Sequence, residues 1–145
     1  YARANPIIGA RAKVPLLEVI EDQTHNSVVL CESLVVAEYL AECYPNVGLT
    51  PSSSVEDRAI MRLFVELCGS SFSYYPILRS KDKDKFESSV EKFKQGLINV
   101  NTFLEKKSDS RGGPFLFGDK FSLAECNTAP FLQRACNVLP VFTGD

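Results

Sequence analysis

One histidine, His25, serves the whole 145-residue chain, and its five cysteines include no CxxC pair. That scarcity leaves no metal-ligand spacing anywhere in the sequence, so no metal cofactor is expected. Long apolar runs are also missing, and no stretch approaches the length needed to cross a bilayer. Neither sign of charge is in excess: 16 Lys and Arg face 18 Asp and Glu, a net charge of −2. Such a balance gives no reason to expect nucleic acid or an anionic membrane as a partner. An odd number of scattered thiols argues against a disulfide framework and fits a reducing, cytoplasmic setting. What is present is an ordinary globular composition, 45% hydrophobic and 23% charged, long enough to bury a sizeable core.

The informative stretch runs from Val14 to Pro45. Pro15 has no N–H to donate to a sheet and biases Val14 towards an extended conformation. With a cis Val14–Pro15 bond, Val14 would keep a free N–H and C=O, and a guest peptide could pair with them as an added strand does. Leu16 to Ile20 then reads as a short strand, Glu21 to Asn26 as a polar turn, and Ser27 to Leu30 as the antiparallel partner strand. Glu32-Ser33 opens a helix from Leu34 to Tyr44. Unpaired N–H groups and a positive dipole end suit a carboxylate there, and Ser33 adds a hydroxyl donor. Glu32 could pair with a nearby ammonium, so a ligand carrying an amino acid at one end would satisfy both residues. The structural alternative is a Ser33 helix cap beside a solvated Glu32; the position just behind a Val-Pro hairpin favours the ligand reading.

Lys13-Val14-Pro15-Leu16-Leu17-Glu18, followed by Leu30-Cys31-Glu32-Ser33 and Val36-Ala37-Glu38-Tyr39-Leu40, resembles the second half of a glutathione transferase N-terminal domain. Among the classes, the omega-like enzymes and dehydroascorbate reductases are the most similar. The resemblance implies that Val14 and Pro15 hold the cysteinyl backbone of glutathione, and that Glu32 and Ser33 hold its γ-glutamyl end. Family members commonly run compactly from Asn-Pro to Val-Pro, whereas here Asn5-Pro6-Ile7-Ile8-Gly9 is followed by four further residues before Val14, lengthening that loop.

Asn46 to Ser54 reads as a linker, and everything beyond it as helical. Val55 to about Ser73 places Ile60, Leu63, Phe64, Leu67 and Cys68 at helical spacing, with a bend or break between Ser70 and Pro76. A helix from Lys83 to Lys106 carries a stripe of Phe86, Val90, Phe93, Leu97, Val100 and Leu104, read as the buried face of a bundle helix. Ser122-Leu123-Ala124-Glu125 has capping-box spacing, with the serine hydroxyl taking the Glu125 N–H and the glutamate reaching back. Phe121 and Cys126 occupy the staple positions around it. The box resembles the family's Ser-x-x-Asp motif, with glutamate in place of aspartate. The predicted fold is therefore glutathione-transferase-like: a partial thioredoxin-like α/β unit (β-β-α) over residues 1–45, a linker over 46–54, and an all-helical domain over 55–145.

Cys68, Cys126 and Cys136 are read as inert thiols in apolar helical surroundings, Cys31 as a packing residue and His25 as an exposed turn residue. In the family the reactive cysteine, serine or tyrosine sits at the end of the first strand or the start of the first helix. The resemblance therefore puts the catalytic residue upstream of Tyr1 and makes this segment catalytically silent. The complete protein is expected to be a cytoplasmic, homodimeric glutathione-dependent transferase, active in detoxification or redox chemistry. It would conjugate glutathione or carry out thiol transfer or dehydroascorbate reduction, with a small electrophilic or disulfide substrate walled by Phe72, Tyr74, Tyr75 and Leu78. The other functional class is a non-catalytic transferase-like scaffold, which need not keep Val14-Pro15 and Glu32-Ser33.

Overall fold

The computed structural model describes residues 14–20, 26–51, 54–108 and 112–143. The chain forms two compact units, Tyr1–Thr50 and Pro51–Asp145. In the first unit, β1 (Leu16–Ile20) pairs antiparallel with β2 (Ser27–Cys31), in a register that sets Leu16 opposite Cys31 and Ile20 opposite Ser27. Alternation along β1 half-buries Leu17 and Val19 and exposes Leu16, Glu18 and Ile20, the period-two pattern of a strand with one covered face. Helix α1 (Ser33–Cys43) packs on β2 and buries Val36 and Ala41. A single 3-10 turn, Pro45–Val47, follows; it closes on Gly48, whose φ of 75° is open to glycine without steric cost. The turn expected over residues 21–26, with His25, falls largely outside the described residues, as does the loop from Asn5 to Lys13.

The second unit is helical: α2 (Val55–Ser71), α3 (Tyr75–Arg79), α4 (Lys83–Ser108) and α5 (Leu123–Thr143). Ser54 caps α2, its hydroxyl accepting the Asp57 N–H at 3.0 Å, and Glu56 and Asp57 complement the positive end of the helix. The break expected between Ser70 and Pro76 is present, with Pro76 in the first turn of α3, where its missing N–H costs no hydrogen bond.

The buried face of α2 differs from the expected stripe. Asp57, Met61, Phe64 and Cys68 are buried, whereas Leu63 is 56% exposed. Positions 57, 61, 64 and 68 recur at four, three and four residues, which keeps one narrow face turned towards both α4 and α5. On α4, the most buried positions are Gly96 and Val100, with Leu97 left partly exposed. Phe103 reaches Phe64 of α2, the ring centroids 5.7 Å apart. At Gly96 a Cβ would lie 2.6 Å from the Ser71 carbonyl oxygen, so α4 passes the end of α2 with no room for a side chain.

The start of α5 is tied to the loop before it. Glu125 Oε2 accepts from the Ser122 N–H and hydroxyl, both at 2.9 Å, and Oε1 accepts from the Leu116 N–H at 2.9 Å. The glutamate therefore reaches back as the capping-box spacing predicts. The Ser122 hydroxyl, however, accepts from the Ala124 N–H at 3.1 Å and not from that of Glu125. The staple is replaced as well: Phe121 sits edge-on to Phe115 at 5.4 Å, and Cys126 is exposed.

Candidate functional site

Strand register brings the sequence-predicted residues together. Leu16 faces Cys31, and Pro15 and Glu32 are the next residues along the chain from that pair. Val14 and Pro15 on one strand and Glu32 and Ser33 on the other thus share one end of the hairpin. The Val14–Pro15 bond is cis, and Val14 is 74% exposed.

The helix entry is unusual. Glu32 is the residue that caps α1, with φ 71° and ψ 123°, a region that side-chain-bearing residues rarely occupy. Its carbonyl accepts the Val36 N–H at 3.0 Å, but its side chain makes no capping bond. Ser33 is already the first helical residue, so it does not fill the capping role of the structural alternative. Both side chains are exposed, and neither has a hydrogen-bond or ion-pair partner among the described residues. A free carboxylate, a free hydroxyl and the unpaired N–H groups of the first helical turn therefore lie within two residues of each other. Chemically this can clasp a zwitterion: the N–H groups and hydroxyl meet a carboxylate, and Glu32 meets an ammonium.

The walls expected for a second substrate behave differently. Phe72 and Tyr74 are buried in the core of the helical unit, while Tyr75 is 45% exposed and Leu78 half-buried. Phe72 and Tyr74 therefore cannot line an open pocket, because the packing of α2, α3 and α4 consumes their surface. The same unit carries an open groove of about 470 Å³ between α3 and α4, lined by Pro76, Arg79, Asp84, Lys85, Ser88 and Lys92 among others. All its lining residues but Pro76 are charged or hydroxyl-bearing and none is aromatic, unlike the aromatic wall expected from sequence. Arg134, on α5, was not singled out by any sequence pattern, yet its guanidinium interacts with the side chains of Tyr74 and Tyr75. Only tertiary packing sets it there.

None of the five cysteines is in a disulfide. Cys68 is 1% exposed, and burial pushes its pKa up to about 12, the inert behaviour expected of it. Cys126 and Cys136 are exposed, contrary to expectation, because both lie on the outer face of α5. Burial and then the neighbouring Glu125 charge raise the Cys126 pKa. No group of metal-ligating side chains occurs among the described residues, and no helix among them is long and apolar enough to cross a membrane.

No protein-family model matches the chain. It is 29% identical over 136 residues to the glutathione S-transferase-like protein OpS6 of Beauveria bassiana, covering 89% of this chain and 59% of that protein. It is 27% identical to a probable maleylacetoacetate isomerase 1 of Drosophila melanogaster, over 93% of this chain and 50% of that one. A crystal structure of maleylacetoacetate isomerase from Anaeromyxobacter dehalogenans 2CP-1, with glutathione bound in the active site, superposes with a TM-score of 0.67 at 27% identity. That match covers 94% of this chain and 62% of the other. The chain thus spans about half to three-fifths of the length of these curated relatives. Such likenesses run to maleylacetoacetate isomerases and transferase-like proteins and do not support the omega-like or dehydroascorbate-reductase expectation. The β-β-α unit followed by an all-helical unit is the glutathione transferase fold. In fold and in sequence the chain is thus similar to proteins of the glutathione transferase superfamily.

Proposed function

We propose that this chain is the glutathione-holding part of a glutathione-dependent transferase. The cysteinyl backbone of the tripeptide pairs with Val14 beside Pro15. Its γ-glutamyl carboxylate meets the start of α1 and the Ser33 hydroxyl, and its ammonium meets Glu32. The observation that carries this reading is the Leu16–Cys31 register, which gathers both motifs at one end of the hairpin. The glutathione found in the active site of the Anaeromyxobacter dehalogenans isomerase supports it by analogy.

Conjugation, thiol transfer and isomerisation all begin with an activated glutathione thiol, and the relatives' names favour the transferase and isomerase chemistries. Glu32 and Ser33 are engaged by the γ-glutamyl end in this reading, and Val14 and Pro15 carry no side-chain group that could hold a thiolate. In this reading these four residues hold glutathione without activating its thiol, and the activating group, a small electrophilic or disulfide substrate and a cytoplasmic homodimer are part of what we propose for the whole protein.

Calorimetric titration of the chain with glutathione tests the reading. Ser33→Ala and Glu32→Ala each remove a charge-assisted contact worth about 1.5–3 kcal/mol, and are expected to weaken binding roughly tenfold or more. Equal affinity in the double variant would refute the site. A complete lack of glutathione binding would favour the non-catalytic scaffold.

A further inference from the structure

The groove of about 470 Å³ between α3 and α4 plays no part in the glutathione reading and lies wholly within the helical unit. Its α4 wall follows from helical spacing: Ser88, Ser89 and Lys92 come three, four and seven residues after Lys85, which puts all four on one side of the helix. Arg79, the last residue of α3, contributes to the other wall. Three cations thus border one hollow in a chain whose net charge is −2. Among the described residues none of the three has an ion-pair partner, whereas Lys83, outside the groove, lies 3.8 Å from Glu87. Asp84 also lines the groove, and its carboxylate pairs with none of them. The hydroxyls of Ser80 and Ser89 donate to the carbonyls of Asp82 and Lys85, at 3.0 and 2.7 Å, so their oxygens are left to accept.

We propose that this groove binds the phosphate ester of a small sugar. Three cations without an anion suit a phosphomonoester carrying about two negative charges, which Arg79 can meet with paired N–H groups and the lysines as point charges. Inorganic phosphate by itself would leave Asp84 a repelling neighbour. A ligand that also carries hydroxyls gives that carboxylate and the two serine oxygens donors to accept from. No aromatic side chain lines the hollow, and Arg79 lies over the nearby Tyr75 ring, 5.7 Å from its centroid. A nucleotide base therefore finds no face to stack on, whereas a sugar does not need one. The volume is within the range of small-molecule sites. The inference stands on the helical unit alone and does not depend on glutathione.

The test is an NMR titration of the 145-residue chain at low ionic strength with ribose 5-phosphate, and separately with ribose, inorganic phosphate and adenosine monophosphate. Ribose 5-phosphate is expected to shift the amide signals of residues 79–92 and to bind more tightly than ribose or phosphate, with adenosine monophosphate no tighter. Arg79, Lys85 and Lys92 are exposed, so replacing them leaves the fold intact. Lys85→Gln and Lys92→Gln should each weaken binding roughly twofold to fivefold, and Arg79→Gln, which loses the fork, roughly tenfold. Lys94→Gln, exposed on the same helix but not in the groove, should leave it unchanged. Asp84→Asn should tighten inorganic phosphate by relieving repulsion and narrow the preference for ribose 5-phosphate over it. Ribose 5-phosphate that binds no tighter than phosphate would overturn the proposal, as would tighter binding of adenosine monophosphate. A loss in Lys94→Gln equal to that in Lys92→Gln, or a preference untouched by Asp84→Asn, would overturn it too.

Discussion

Two glycines in neighbouring helices should respond to the same substitution with opposite signs. A Cβ on Gly96 would lie 2.6 Å from the Ser71 carbonyl oxygen, 2.9 Å from Ser71 Cβ and 3.0 Å from Ser71 Cα. Two of those three atoms are backbone, so no rotamer change relieves the contact; α4 and α2 must move apart. Overpacking against backbone lies in the upper part of the usual range, about 2–3 kcal/mol, against a gain of about 0.8–1 kcal/mol from replacing a mid-helix glycine by alanine. Gly96→Ala should therefore lose about 1–2 kcal/mol net, lowering Tm by roughly 5–10 °C in a unit of this size. A Cβ on Gly69, in α2, meets nothing within 4 Å. Gly69→Ala keeps only the propensity gain and should raise Tm by a few degrees. Thermal unfolding followed by helical circular dichroism reads both. A Gly96→Ala chain as stable as the unmodified one, beside a stabilised Gly69→Ala, would show that the helices do not approach at Ser71.

Glu125→Ala removes three hydrogen bonds and leaves the N–H of buried Leu116 unpaired. It should cost about 2–4 kcal/mol, and Glu125→Gln less, read as a lower urea midpoint at constant slope. Cys68 should stay unlabelled by a thiol reagent at pH 8 in the folded chain while Cys43, Cys126 and Cys136 react; labelling of Cys68 at a similar rate would refute its burial. Because its folded pKa, about 12, exceeds the ordinary thiol value of 9.0, the unfolded chain loses that proton first. The stabilising contribution is full below pH 9 and falls as the pH rises towards 12, so urea midpoints across that range should decline more steeply than in Cys68→Ala. Glu32→Gly removes a side chain from a backbone at φ 71°. It should stabilise the first unit by about 1 kcal/mol once glycine's extra unfolded entropy is subtracted, while weakening glutathione binding. Lost stability would mean that Glu32 holds the turn by a contact of its own.

Period and punctuation made much of this fold readable. Alternation in Leu16–Ile20, the proline at position 76 and the Ser122–Glu125 spacing are local signals, each produced by residues within a few positions of one another. They marked β1, the break after α2 and the start of α5 as the structure has them. The misreadings share a different cause. Leu63 looks as apolar as Met61, and which of the two is buried depends on where α4 and α5 cross α2. Phe121 and Cys126 have staple spacing, but Phe115, six residues upstream, takes the ring instead. Cys126 and Cys136 belong to a helix that reads as largely apolar, yet both face outward in space. Phe72 and Tyr74 read as pocket walls, and the helical packing takes them into the core.

For the candidate site the division is the same. The residue types and their order by themselves determined what Val14, Pro15, Glu32 and Ser33 can offer a ligand: a strand edge, a free carboxylate, a hydroxyl and a helix start. Tertiary structure decided that the two pairs meet, because an antiparallel register is set by hydrogen bonds between strands and not within either. It alone brought Arg134 to Tyr74 and Tyr75, some sixty positions away along the chain. A contact between residues so far apart leaves no period to read, since only the folded path of the helices sets their separation.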